Sequence, residues 1–239
     1  MLQAGLDLGR LDVVALTHHH SDHVSDLASL AIARWVNGAS EPLTVLAPKG
    51  PCSRFAHGCL DGFEDEAFSS QGPANASTRP FVAVIEFGAA ASPTVVFDEG
   101  PWSVSATLVD HHPIEAAVGY RIVIDGRVVA ISGDTAVCAG VELLAVGADI
   151  LIHEAARTDR CSPRLLEWNA SAFSVGVLAD SLRLPTTVLT HLLPAPNTDL
   201  DERAFVDEVR SSGYSGEVIL ATDLMRITLT SQGANRSDH

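Results

Sequence analysis

The sequence predicts an α/β fold of two β-sheets packed together with helices outside them. Strand-like segments dominate the first half, whereas helices and strands alternate in the second. A third observation is a polar, histidine-rich turn wedged between a short apolar run and a helical apolar stripe.

Taken in order, residues 2–8 read as a short helical tail ended by a turn at Gly9-Arg10. Val13 to Leu16 has the look of a buried strand. After the histidine-rich turn, apolar residues recur at helical spacing at Val24, Leu27, Ala28, Ala31, Ile32 and Trp35. Asn37-Gly38 stops that helix. Leu43 to Ala47 reads as a strand closed by Pro48-Lys49-Gly50-Pro51. Residues 52–80 read as a short helix and a long surface loop, with the acidic patch Glu64-Asp65-Glu66, bordering a substrate cleft. Strands follow near 81–87, 94–98 and 102–109. A hairpin then runs from Gly119 to Ile131 through Asp125-Gly126, a strong two-residue turn signal. Helices are predicted at 137–146, 171–183 and 199–211, with strands at 150–152, 187–190 and 217–221. Asp199-x-x-Glu202 opens the last helix like a capping box. No repeat or linker interrupts the pattern, so residues 1–239 are expected to form a single domain.

Fifteen Lys and Arg face 30 Asp and Glu, a formal charge of −15. That balance repels nucleic acid unless a basic patch overrides it, and no dense Lys/Arg run exists. No apolar run is long enough to span a membrane. The amino end lacks the basic start and apolar stretch of a signal peptide, so a cytoplasmic protein is expected. Cys52, Cys59, Cys138 and Cys161 are scattered, and read as reduced thiols.

Within Thr17-His18-His19-His20-Ser21-Asp22-His23, four histidines and an aspartate crowd into seven residues. They lie at the carboxyl end of a strand, where α/β proteins carry their chemistry. His18 and His20 are two apart, so in an extended segment their rings point the same way. Asp22 and His23 can face a second position close by. Imidazoles plus a carboxylate are what zinc, iron and manganese accept, and the geometry suits two adjacent metals better than one. A solvated loop or a tag-like run is the bland alternative, but the Ser-Asp interruption and the flanking strand and helix argue against it. Further candidates stand at other strand ends: His111 and His112, Asp134 after Gly133, His153 and Glu154, and His191. Asp134 could instead cap the helix that follows, and His153 could be a satisfied structural histidine.

His18-x-His20-x-Asp22-His23 resembles the H-x-H-x-D-H motif of the metallo-β-lactamase-fold hydrolases, whose architecture is an αββα sandwich. The stretch from Val109 to Arg121 resembles the third-histidine region of the ribonuclease Z and arylsulfatase-like branch. Counting back from Gly119-Tyr120-Arg121 favours His111 over His112. Ser132-Gly133-Asp134-Thr135, His153-Glu154-Ala155, Thr190-His191 and Ala221-Thr222-Asp223 match further segments of that branch, in its order.

The resemblance implies two divalent ions, zinc above all, with manganese or iron as alternatives. One would be held by His18, His20 and His111, the other by Asp22, His23 and His191, with Asp134 bridging. A water shared by the ions would reach the hydroxide range near neutrality. Catalytic parts are expected for Asp22, His153 and Glu154, the last two as proton carriers or as supports of the ligands; Asp223 is also read as a support. The expected activity is hydrolysis of a phosphodiester or a related small ester (sulfate ester, carboxylic ester or lactone). Alternatives are a ribonuclease Z-type transfer-RNA 3′-processing nuclease, a β-lactam hydrolase, an iron redox enzyme on the same fold, and an inactive metal-binding protein. Three features depart from the branch: its opening strands and its basic transfer-RNA-gripping arm are not evident, and Leu192-Leu193-Pro194 follows His191 where nuclease members carry a Ser or Thr. Missing opening strands would leave apolar sheet edges near Val13–Leu16 and Leu43–Ala47, so a homo-oligomer acting on a small-molecule ester, away from membranes, is expected.

Overall fold

The computed structural model describes residues 3, 5–63, 81–230 and 233–237; the loop foreseen at 64–80, with its acidic patch, lies outside them. The chain divides into two compact units, Met1–Gly88 and Ala89–His239.

In the first unit, where a helical tail was expected, Leu8–Arg10 makes a single 3-10 turn opened by the Asp7 side chain, which accepts from the Gly9 N–H. Strands β1 (Val13–Ala15), β2 (Leu43–Pro48) and β3 (Val82–Phe87) form a parallel sheet in the order β1-β2-β3. The expectation that Leu43–Ala47 would be a sheet edge is therefore corrected. β2 is the central strand, hydrogen-bonded on both sides, and β1 and β3 are the outer ones. Leu43, Val45 and Ala47 pack with Leu16, Val24, Leu27 and Ala31 into one core.

The apolar stripe foreseen as one helix is two. α1 (Ser21–Val24) begins inside the histidine cluster, and α2 (Leu27–Val36) follows after a break at Ser25-Asp26. Gly38, at φ +99°, ends α2 as expected. Arg34 sits on the apolar side of α2, 4% exposed. It is tolerated there because its guanidinium donates to the carbonyl oxygens of Leu11 and Glu41 and lies 3.5 Å from Asp12. α3 (Pro51–Gly58) follows β2 directly.

The second unit is built on a seven-stranded sheet in the order β10-β9-β8-β7-β6-β5-β4. Its strands are β4 (Thr94–Glu99), β5 (Trp102–Leu108), β6 (Val118–Ile124), β7 (Arg127–Ile131), β8 (Ile150–Ala156), β9 (Thr186–Leu193) and β10 (Glu217–Leu220). β4 to β7 pair antiparallel, and β7 to β10 pair parallel. The β6–β7 hairpin turns at Asp125 and Gly126, both with positive φ (50° and 75°), as the two-residue turn requires. A further hairpin, β11 (Arg226–Thr230) and β12 (Gly233–Ser237), was not foreseen.

On one face of the sheet, α4 (Ala139–Ala145), α6 (Ala172–Ser181) and α7 (Asp199–Ser211) contribute to a core around Ala130, Leu151, Val175, Leu189 and Phe205. On the other, Ile150, Val188 and Ile219 pack with Ile227 and Leu229 of β11. The short α5 (Pro163–Leu166) precedes α6. The cap of α7 falls one residue earlier than read. Thr198 accepts from the Asp201 N–H, and the Asp201 carboxylate in turn accepts from Thr198 Oγ1 and the Asn197 N–H. Among the described residues, no helix is long and apolar enough to cross a membrane.

α4 reaches the sheet through Gly140, where an added Cβ would lie 2.0 Å from the Leu108 carbonyl oxygen. Backbone cannot give way there as a flexible side chain can. Gly140→Ala is expected to destabilise the protein by about 2 kcal/mol or more, read as a lowered urea midpoint. Thr198→Ala, which only removes a cap, should cost about 1 kcal/mol.

Candidate metal centre

In the first unit, the chain leaves β1 and stays extended through His20 before turning into α1. The extended stretch points His18 and His20 the same way, and their Nε2 and Nδ1 atoms stand 3.0 Å apart. His18 Nδ1 lies 3.1 Å from Thr17 Oγ1, which anchors that ring through its far nitrogen. α1 then brings His23 back, with its ring centroid 4.1 Å from that of His18. Its Nε2 lies 3.3 Å from Asp22 Oδ2. His18 is fully buried and Asp22 is open to solvent. His19, the remaining member of the run, points elsewhere: its ring stands 6.2 Å from His20. Partial burial and the neighbouring His20 and Arg54 hold its pKa down.

In the second unit the sheet's directionality does the gathering. β5, β7, β8 and β9 all run the same way, so their carboxyl ends share one edge of the sheet. His111 follows β5, Asp134 follows β7, and His191 lies near the end of β9. His191 sits at a bulge, where Glu154 pairs with Thr190 and Ala155 with Leu192, and it has φ +42°. Its Nε2 comes 3.5 Å from Asp134 Oδ2. His111 and Asp134 also offer ligand atoms within 4.8 Å of one another. His111 Nδ1 is 3.2 Å from the Trp168 carbonyl oxygen, to which it donates, so Nε2 is the nitrogen available to a metal. His111 is 6% exposed, whereas His112 is on the surface with its ring 5.9 Å from Trp168.

The sequence places His153 and Glu154 just beyond a strand end at 152. The structure corrects this: β8 continues through both to Ala156, opposite Leu189 and Thr190. Both are essentially inaccessible. Glu154 accepts from the Thr135 N–H, next to Asp134. Burial, reinforced by the Asp134 charge, pushes its pKa up to about 9, with the Thr135 bond opposing. Burial lowers His153 to about 4, although its Nδ1 donates to the Glu154 carbonyl and Asp134 lies nearby. Among the described residues, His153 Nε2 and Glu154 Oε2 have no hydrogen-bond partner. Asp223, read as a further support, is exposed in a turn before β11, and no contact places it with these groups.

Two residues that sequence reasoning missed hold this edge together. Thr135 is fully buried, and its Oγ1 lies 3.0 Å from both the Asp110 nitrogen and the Asp110 oxygen. Trp168 orients His111 through its backbone. A buried threonine after Gly-Asp was a faint signal for the first; a carbonyl 57 residues away leaves none for the second.

The donor sets fit a divalent transition metal. Paired ring nitrogens at 3.0 Å, part-buried and turned towards each other, are reconciled by a shared proton or a cation. In the second unit, an imidazole on each side of a nearly buried carboxylate has the same chemistry.

Residues 2–192 match the profile of the beta-lactamase superfamily domain family. The ribonuclease Z of Mycobacterium bovis (strain BCG / Pasteur 1173P2) is 29% identical over 236 residues, covering 93% of this chain and 81% of that protein. The metallo-beta-lactamase fold protein YhfI from Bacillus subtilis superposes with a TM-score of 0.67 at 21% identity, covering 92% of this chain and 79% of that one. Human tRNase Z, short form, gives 0.64 at 22%, covering 94% and 81%. The chain therefore belongs to the beta-lactamase superfamily domain family, has the metallo-β-lactamase fold, and is a metal-dependent hydrolase.

Proposed function

We propose that this hydrolase is a binuclear phosphodiesterase acting on small diesters. The observation that carries the reading is the convergence of donors inside each unit: His18 with His20, Asp22 with His23, and His191 with Asp134. In this reading His18, His20, Asp22 and His23 would offer donors to metal ions in the first unit, and His111, Asp134 and His191 in the second. Asp134 would be suited to serve more than one ion, because a carboxylate has two oxygens to share. Divalent ions held there would supply Lewis acidity. The residues do the rest. Thr17 and the Trp168 carbonyl fix the faces that His18 and His111 present. Asp22, the solvent-open member, orients the attacking water. Glu154 positions the Asp134 loop through Thr135, and its Oε2 is the atom left to hold a proton.

A phosphodiester is favoured over other esters because the M. bovis relative is named ribonuclease Z, an enzyme of that bond type. The same name supports a second reading, transfer-RNA 3′ processing. The net charge of −15 weighs against it. Transfer-RNA cleavage, with binding that falls steeply as salt rises, would decide for the second reading.

Purified protein should carry about two transition-metal ions per chain by elemental analysis, zinc foremost. Hydrolysis of methyl p-nitrophenyl phosphate should stop on chelation and return with zinc. A protein that takes up no metal on reconstitution would overturn the site assignment. Asp134→Ala should lower kcat/KM by more than about 100-fold, beyond the usual loss for residues that only support a ligand, and release metal. His111→Ala should lose far more than His112→Ala, which should stay within about tenfold of the parent. The reverse order would place the ligand at His112.

A further inference from the structure

A hollow of about 370 Å³ in the second unit is lined by residues 108–115 and 138–140. That volume lies in the range that holds small organic groups. One wall is His111, assigned above to a metal, so the hollow adjoins the place where a substrate's reacting phosphorus would sit. Its lining is otherwise largely apolar, with Leu108, Pro113, Ile114 and Ala139 among it.

The charges are one-sided. Among the described residues, no lysine or arginine lines the hollow, and its carboxylates are Asp110 and Glu115, both exposed. Among the described residues, no ion pair engages either side chain. Asp110 cannot swing its backbone away, because its N–H and C=O are both held by Thr135 Oγ1 at 3.0 Å. Glu115 follows a tight turn in which the Ile114 N–H donates to the His111 carbonyl at 2.8 Å. The backbone at Asp110, and the turn that leads into Glu115, are therefore held next to His111. An anionic group entering the hollow meets two like charges and no lysine or arginine side chain, while hydroxyl or amino donors meet acceptors.

We propose that this hollow is the subsite for the non-reacting alcohol arm of the diester, and that it selects a compact arm without negative charge against one carrying a second phosphate. The inference rests on the phosphodiesterase reading and adds a residue-level rule for its substrates. Ala139 sets the room available, and Asp110 with Glu115 sets the sign of the charge tolerated.

A matched pair of substrates tests this on the metal-loaded protein: thymidine 5′-(p-nitrophenyl phosphate), and the same molecule with an added 3′-phosphate. The added phosphate should lower kcat/KM by about tenfold at low salt, a gap that narrows as salt screens it. The double variant Asp110→Asn, Glu115→Gln should shrink the gap to about threefold or less. Ala139→Phe, which fills the hollow, should reduce the preference for the thymidine ester over methyl p-nitrophenyl phosphate. Equal or faster turnover of the phosphate-bearing substrate overturns the inference, as does a gap unchanged in the double variant. If no diester is hydrolysed although metal is bound, the phosphodiesterase reading fails. The hollow is then judged by calorimetric titration with thymidine and thymidine 3′-phosphate. Tighter binding of thymidine supports the inference, and equal binding or none of either overturns it.

Discussion

The working edge of the second unit depends on the hydrogen bonds of one buried residue, Thr135. Its N–H is given to Glu154, and its hydroxyl joins the backbone of Asp110, so the segments that carry Asp134 and His111 are tied to a single side chain. A second bond, from the Ala136 N–H to the Asp110 carbonyl at 3.0 Å, repeats the tie along the backbone. Loops that follow strands are otherwise the freest parts of an α/β protein. Here two of them are fixed together by hydrogen bonds. The arrangement also explains why a glutamate is admitted to the middle of a strand. Glu154 supplies an acceptor at the depth of the core, where an unpaired N–H would cost about 1–3 kcal/mol.

Strand direction sets the rest. Because β5, β7, β8 and β9 run the same way, every segment that leaves or nears the end of one of them does so at the same edge. His191 departs from a regular ladder: the bulge and its positive φ turn one residue out of register while β9 continues to Leu193. A bulge beside a functional group re-aims a side chain without ending the strand. Placed one residue earlier or later on a regular strand, the same histidine would face the other side of the sheet.

Much of this was legible in the sequence, for a physical reason. Period-two and period-3.6 patterns report local backbone, so β3 to β7 and α7 fall within a residue or two of where the apolar residues predict them. The donors were legible because a histidine or aspartate stranded at the end of an apolar run is conspicuous. What escaped notice is polarity satisfied from far away. β8 looked finished at Ile152 because His153 and Glu154 are polar, yet they are paired across the sheet and bonded from a different loop. Arg34 is likewise buried only because two carbonyls and Asp12 meet its guanidinium. The same holds for β2, whose central position depends on β3, about 40 residues later in the chain. Local patterns carry no record of such partners.

Charge links the fold to the chemistry proposed for it. A chain with 30 acidic and 15 basic side chains cannot gather an anionic substrate by its overall field. It must concentrate positive potential at one point, and histidines that bind divalent ions do so without adding fixed cationic side chains. Arginines that might have formed a patch are spent elsewhere: Arg34 on backbone carbonyls, Arg121 on the carbonyls of Leu144 and Val146, Arg127 on Asp149, and Arg157 on Asp159. Each holds structure in place of offering itself to a ligand. A long polyanion needs many phosphate contacts along its length, and this distribution supplies few. A small diester needs one strong point of attraction and a nearby place for its remaining arm.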